Sequence, residues 1–181
     1  MPDGLNKIFF LLLITQQSTI CNGKKNFAFS VVYMNASSNP DKMSDFKYNY
    51  HNENPKAKLF YEFKFKETIT HLTAHSKIDM LHADNRKFNL LDVTLDVCQL
   101  YGLFKSKNRI LQICSRELKR VTNYRDCPIL PNKTICIKNY TIDPDSFPSF
   151  LPSFYWIAEI HLTANKVHCA STFFKGKIYK V

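Results

Sequence analysis

Glycine is scarce: 4 of 181 residues. With hydrophobic residues at 45%, that excludes a fibrous or disordered composition. Long apolar runs are also missing. The run Ile8 to Ile14 falls far short of the ~20 residues a spanning helix needs, and no other segment is long and apolar enough. There are no internal repeats, low-complexity tracts or interdomain linkers, so the length favours one domain. No Ser-His-Asp order, phosphate loop or paired-carboxylate motif stands out, and no enzyme class, cofactor or metal site is expected. Acidic residues are the minority, 15 against 25 basic ones, for a net charge of +10. The basic residues are spread along the chain, which reads as a solvated surface and gives no nucleic-acid partner.

Aromatic residues are plentiful: fifteen Phe, nine Tyr and one Trp. They favour strands and also line apolar pockets. The N-terminus has a weakly basic start at Lys7, the short run Ile8 to Ile14, and then a polar Thr/Gln/Ser stretch. That layout is a secretory signal peptide over residues 1–23, with cleavage after Ser18, Cys21 or Gly23. A buried first strand is the competing reading. Three N-x-S/T sequons, at Asn35, Asn132 and Asn139, fit the extracellular compartment and mark surface positions. So do six cysteines: Cys21, Cys98, Cys114, Cys127, Cys136 and Cys169. If cleavage removes Cys21, five remain and one is odd, so two bridges at most are expected.

Past the leader, residues 24–181 read as one β domain. Phe27, Phe29, Val31 and Tyr33 alternate on one strand face. Residues 35–45 read as a polar loop with Pro40, and Phe46, Tyr48 and Tyr50 alternate after it. Leu59, Tyr61, Phe63 and Phe65 share a face, then Leu72, Ala74, Ile78 and Met80, then Leu91, Val93, Leu95 and Val97. The period changes between Cys98 and Cys127. Ile110, Ile113, Cys114, Leu118 and Val121 recur at helical spacing, with Lys107, Arg109, Arg116, Lys119 and Arg120 elsewhere around it. One basic amphipathic helix is therefore expected there. A strand over residues 134–142 carries Cys136. Trp156, Ala158, Ile160 and Leu162 run into a turn at Ala164-Asn165, and Val167, Cys169, Ser171 and Phe173 return. Some seven short strands, one helix and polar turns indicate a two-sheet β-sandwich.

Four motifs carry a family resemblance. They are Val93-Thr-Leu-Asp96-Val-Cys98, Thr122-Asn123, Cys127-Pro128 and Pro152-Ser153-Phe154-Tyr155-Trp156. Over residues 58–181 the pattern resembles a secreted insect family, a domain of unknown function, similar in turn to the ML (lipid-recognition) superfamily. The last motif departs, with Phe154 where glycine is usual and Trp156 where tyrosine is usual. Phe does not readily take φ > 0, so another turn geometry is expected. The resemblance implies an immunoglobulin-like two-sheet cup that accommodates lipids or other hydrophobic small molecules. Some relatives are implicated in gustatory and pheromone perception.

We expect a Cys98–Cys127 bridge closing a loop of about 28 residues and contributing roughly 3–4 kcal/mol. Cys136 and Cys169, both on expected strands, form a candidate second pair, and Cys114 is a core thiol. Pocket candidates are Phe63, Phe65, Leu72, Leu95, Trp156, Ile160 and Phe173, each inward by alternation, with Phe104 as part of a lid and Lys105 and Lys107 for a ligand headgroup. His161 and His168 face each other across the last hairpin, too few ligands for zinc. The expected function is non-enzymatic binding of a lipid or other hydrophobic small molecule by a secreted, chemosensory protein. The alternative is an interaction module or receptor co-factor without a lipid. A basic secreted ribonuclease comes third, and no motif places the two histidines and lysine it needs.

Overall fold

The computed structural model describes residues 27–81, 86–99, 118–124, 127–141 and 152–181. The expected leader, Cys21, Phe104, Lys105, Lys107 and Cys114 lie outside them. The chain is mainly β. Its strands are β1 (Phe27–Ser38), β2 (Met43–Glu53), β3 (Lys56–Phe65), β4 (Leu72–Leu81), β5 (Lys87–Asp96), β6 (Thr134–Thr141), β7 (Phe154–Ala164) and β8 (Val167–Lys180). All neighbours pair antiparallel, in a five-stranded sheet of order β1-β8-β7-β4-β5 and a three-stranded sheet of order β2-β3-β6. Of the helix expected between Cys98 and Cys127, residues 118–121 are described and helical, with Thr122 N donating to Leu118 O at 3.0 Å.

The segment read as a polar loop, residues 35–45, is mostly strand. β1 runs on to Ser38 and β2 begins at Met43. Pairing of Asn35, Ala36, Ser37 and Ser38 with β8 supplies the backbone bonds that their polar side chains do not advertise. A bulge between Val31 and Tyr33 also breaks the alternation. Phe27, Phe29 and Val31 are buried as expected, but the extra residue turns Tyr33 outward and Met34 inward. The last turn is Asn165-Lys166, both at positive φ (48° and 68°), as a two-residue type I′ hairpin requires. The Asn165 carboxamide also accepts from Thr70 N and His71 N and donates to Thr68 O, which ties the approach to β4 onto the hairpin. Phe154 opens β7 and is buried, so the motif's missing glycine is replaced by strand.

The inner faces of the two sheets meet in two apolar clusters. One holds Phe63, Phe65, Ile69, Leu72, Ile129, Ile135 and Cys169. The other holds Phe27, Phe29, Val31, Met34, Phe154, Trp156, Phe174 and Ile178. Each fully buried large side chain contributes roughly 1.5–3 kcal/mol. Trp156 stacks on Phe29 with centroids 4.8 Å apart and planes at 14°. Beside it a Cβ at Gly176 would lie 2.2 Å from Trp156 Cζ2, so only glycine fits.

Candidate functional site

The sheets are unequal in width. At about 4.8 Å between strands, five strands span about 19 Å and three about 10 Å. The surplus falls at the β4–β5 end. Leu91, Val93 and Leu95 are in register with Ile78, Ser76 and Ala74 on the inner side of β4, which continues to Ile160 on β7. Leu91, Val93, Leu95 and Ile160 are half-buried. Among the described residues, none from β5 joins either apolar cluster. The result is an apolar shelf beside the core. Of the polar atoms buried between the sheets, Trp156 Nε1 lacks a hydrogen-bond partner and Tyr61 Oη has only the Thr172 hydroxyl near it. Burial pushes the Tyr61 hydroxyl well above the usual phenol range, and Thr172 opposite it offsets only part of that.

The expected pocket residues divide. Leu95 and Ile160 lie on the shelf. Phe63, Phe65, Leu72 and Trp156 are at most 6% exposed and belong to the packed core. Phe173 is a correction: it faces outward. A register shift between Leu162 and Thr163 makes Cys169 the extra residue of β8, so the inward set becomes Ala170, Thr172, Phe174, Gly176 and Ile178. Phe104 is outside the described residues. Sequence reading did not single out the shelf residues Leu91 and Val93, although their alternation was visible. The signal lacking was the width of the opposing sheet.

Cys98 and Cys127 form the expected disulfide, Cα–Cα 5.4 Å. Two features tighten it. Ile69 and Ile129 exchange both backbone hydrogen bonds, at 2.9 and 2.8 Å. Tyr124 Oη donates to Cys127 Sγ at 2.9 Å. The Asn123 side chain from the Thr122-Asn123 motif accepts from Cys136 N at 2.8 Å and donates to Thr134 O at 2.9 Å, taking the place of a strand along β6. The expected Cys136–Cys169 pair is not formed; both thiols are free. Cys136 alternates with buried Ile135 and sits on the outer side near Glu62, whereas Cys169 is wholly buried between the sheets. The two thiols therefore lie on opposite sides of the three-stranded sheet. Burial raises the Cys136 thiol, with the Glu62 carboxylate adding to it, and pushes the Cys169 thiol up to about 11.

The outer side of the five-stranded sheet carries a polar row. His75 Nε2 is 2.8 Å from Asp92 Oδ1, and its ring stacks on His161 at 6.1 Å. Ser171 Oγ is hydrogen-bonded to both His161 Nδ1 (2.9 Å) and His168 Nε2 (3.0 Å). His161 and His168 do face one another, joined through this serine. Glu159 is 3.8 Å from His161 Nε2, too far to fix the imidazole as a catalytic carboxylate would. Among the described residues no group of three or more His, Cys, Asp or Glu is placed to hold a metal ion. Beside the row lies a groove of about 200 Å³ bounded by Asn35, Ser37, Glu159, His161, Ser171 and Phe173. Asn35, Asn132 and Asn139 are all exposed, and among the described residues no helix is long and apolar enough to cross a membrane.

No curated protein matches the chain. Residues 75–158, from within β4 to within β7 and including Cys98 and Cys127, match the family described as protein of unknown function (DUF1091), so the chain carries a DUF1091 domain.

Proposed function

We propose that this is a secreted, non-enzymatic binding protein for a small ligand with an apolar body and a polar end, seated on the β4–β5 shelf. The two sheets form an immunoglobulin-like sandwich of the ML type, open at its wide end. The observation that carries this reading is the apolar row Leu91, Val93 and Leu95 on the inner side of a strand that neither core cluster includes. A row of that kind on a sheet's inner face costs free energy unless something apolar covers it. Deeper between the sheets, over Gly176 of β8, Trp156 Nε1 is a buried donor without a partner. The Cys98–Cys127 bridge supports an oxidising compartment.

Native mass spectrometry of protein from secretory cells is expected to find a bound apolar molecule, and fatty acids should raise the melting temperature. Replacing Leu95 and Ile160 together with Asp should weaken that binding by at least about tenfold, or 1.4 kcal/mol. A strictly ligand-free spectrum with no thermal shift across fatty acids and hydrocarbons would sink the proposal. The second reading, a receptor co-factor, is favoured by Phe88 and Leu90, exposed by 57% and 44% on the outermost strand β5. It becomes the better one if Phe88→Ser abolishes an association with a receptor while the protein stays ligand-free. A role in chemosensation rests on the family resemblance alone.

A further inference from the structure

The outer groove holds a residue that can be modified. Asn35-Ala36-Ser37 is a sequon, and Asn35 and Ser37 both bound the groove. They share the outer side because the bulge at Val32 resets the alternation of β1, which brings Tyr33, Asn35 and Ser37 to one face. Asn35 stands directly opposite Phe173 on β8, where opposed side chains are about 5 Å apart. Tyr33, 50% exposed, meets the Phe173 ring edge-on at 6.1 Å. The groove therefore has an aromatic side chain beside Asn35, whose Oδ1 accepts from Tyr48 Oη at 3.4 Å and leaves Nδ2 for the sugar, and a rim of hydrogen-bonding groups from Ser37, Glu159, His161 and Ser171. A flat apolar ring with polar groups at its edge is the complement of a pyranose. At about 200 Å³ the groove is smaller than a pocket for a drug-sized molecule, roughly 300–1,000 Å³, and of the order of one sugar residue. The other two acceptors, Asn132 before β6 and Asn139 on β6, are exposed but do not border it.

We propose that Asn35 carries an N-linked glycan whose first sugar seats in this groove against Phe173. The inference rests on the secretory reading, because the glycan is added only in that compartment. The attached sugar is the occupant: its covalent link at Asn35 holds it at the groove, so little ordering entropy opposes docking. The modification forms the bond from Asn35 Nδ2 to the sugar's anomeric carbon as the anomeric C–O bond of the activated donor breaks; the lipid diphosphate leaves with the electron pair, and the proton lost from Nδ2 passes to the transferase's base. The docked sugar then covers the Phe173 face and stabilises the β1–β8 pairing.

The test is expression in a secretory cell line, with glycopeptide mass spectrometry at the three sequons. Trimming to a single sugar should leave a protein that melts about 2–4 °C above the Asn35→Gln variant, the shift expected for about 1 kcal/mol in a domain of this size. Phe173→Ala should erase that difference. Phe173→Leu, which keeps the bulk without the flat ring, should erase most of it and guards against misfolding of the alanine variant. Sugar on Asn132 or Asn139 with Asn35 bare would overturn the inference and leave the secretory reading standing. So would an occupied Asn35 whose removal leaves the melt unchanged, or a difference that persists in Phe173→Leu. A chain retained in the cytosol with no sequon modified would overturn the secretory reading and this inference together.

Discussion

Gly176 is the residue at which this core tolerates least. It lies between β1 and β7, opposite Val31 and Trp156, and a Cβ there would meet the indole at 2.2 Å and Ser30 O at 2.3 Å. The indole cannot move away freely, because Phe29 is stacked on its other side. Gly176→Ala is therefore expected to destabilise the protein by about 1–3 kcal/mol, read as a lower urea midpoint at unchanged m-value, with a red shift of the single tryptophan's fluorescence. Inward residues such as Phe63, Phe65 and Trp156 were legible in the sequence from alternation alone. Tyr33 and Phe173 were not. Each follows a bulge, and an extra residue in a strand changes no composition or local pattern while it reverses every side chain beyond it. Two such reversals build the outer groove, which is why that site was invisible beforehand.

Among the elements, the clip around Cys98 and Cys127 was the most readable. A strand ending at Asp96, a helical period and Cys127-Pro128 located both ends, and the disulfide is there. The sequence held no sign of the polar clamps around it. Asn123 serves β6 as a substitute strand, and Ile69 pairs with Ile129 across 60 residues of chain. Carboxamides used in this way look like loop residues until their partner is known. Replacing both Cys98 and Cys127 with Ser should cost roughly 3–4 kcal/mol on the chain-entropy account. Chemical denaturation should find that loss, and a protein that keeps its far-ultraviolet β signal. Loss of the β signal itself would mean that the bridge decides whether the sheets form at all.

At the scale of the whole molecule, the space between the sheets contains two acids that folding keeps protonated. Cys169 is raised from 9.0 to about 11, and Tyr61 is raised as well, both by burial. Raised folded values mean stability that is complete below the unfolded pKa and lost as pH climbs. The Cys169 part is thus present below pH 9 and disappears between about 9 and 11. Melting temperature should fall across that range, and Cys169→Ala should flatten its first portion; an unchanged slope would exclude the thiol as the cause. The unequal sheets, which make the shelf, could not be read from one chain, since strand count does not say how strands divide between layers. One further consequence concerns assembly. Along the outer edge of β1, Asn52 holds both Val31 N and Val31 O, at 3.0 and 2.8 Å, and Pro55 O holds Phe29 N. The five-stranded sheet thus has one blocked margin and ends on the other side at β5. Sheet extension between copies needs two compatible margins per subunit to propagate. Among the described residues that leaves β5 as the margin at which this sheet could be lengthened, and a sheet that can be lengthened on one side alone cannot repeat into a fibre by that route.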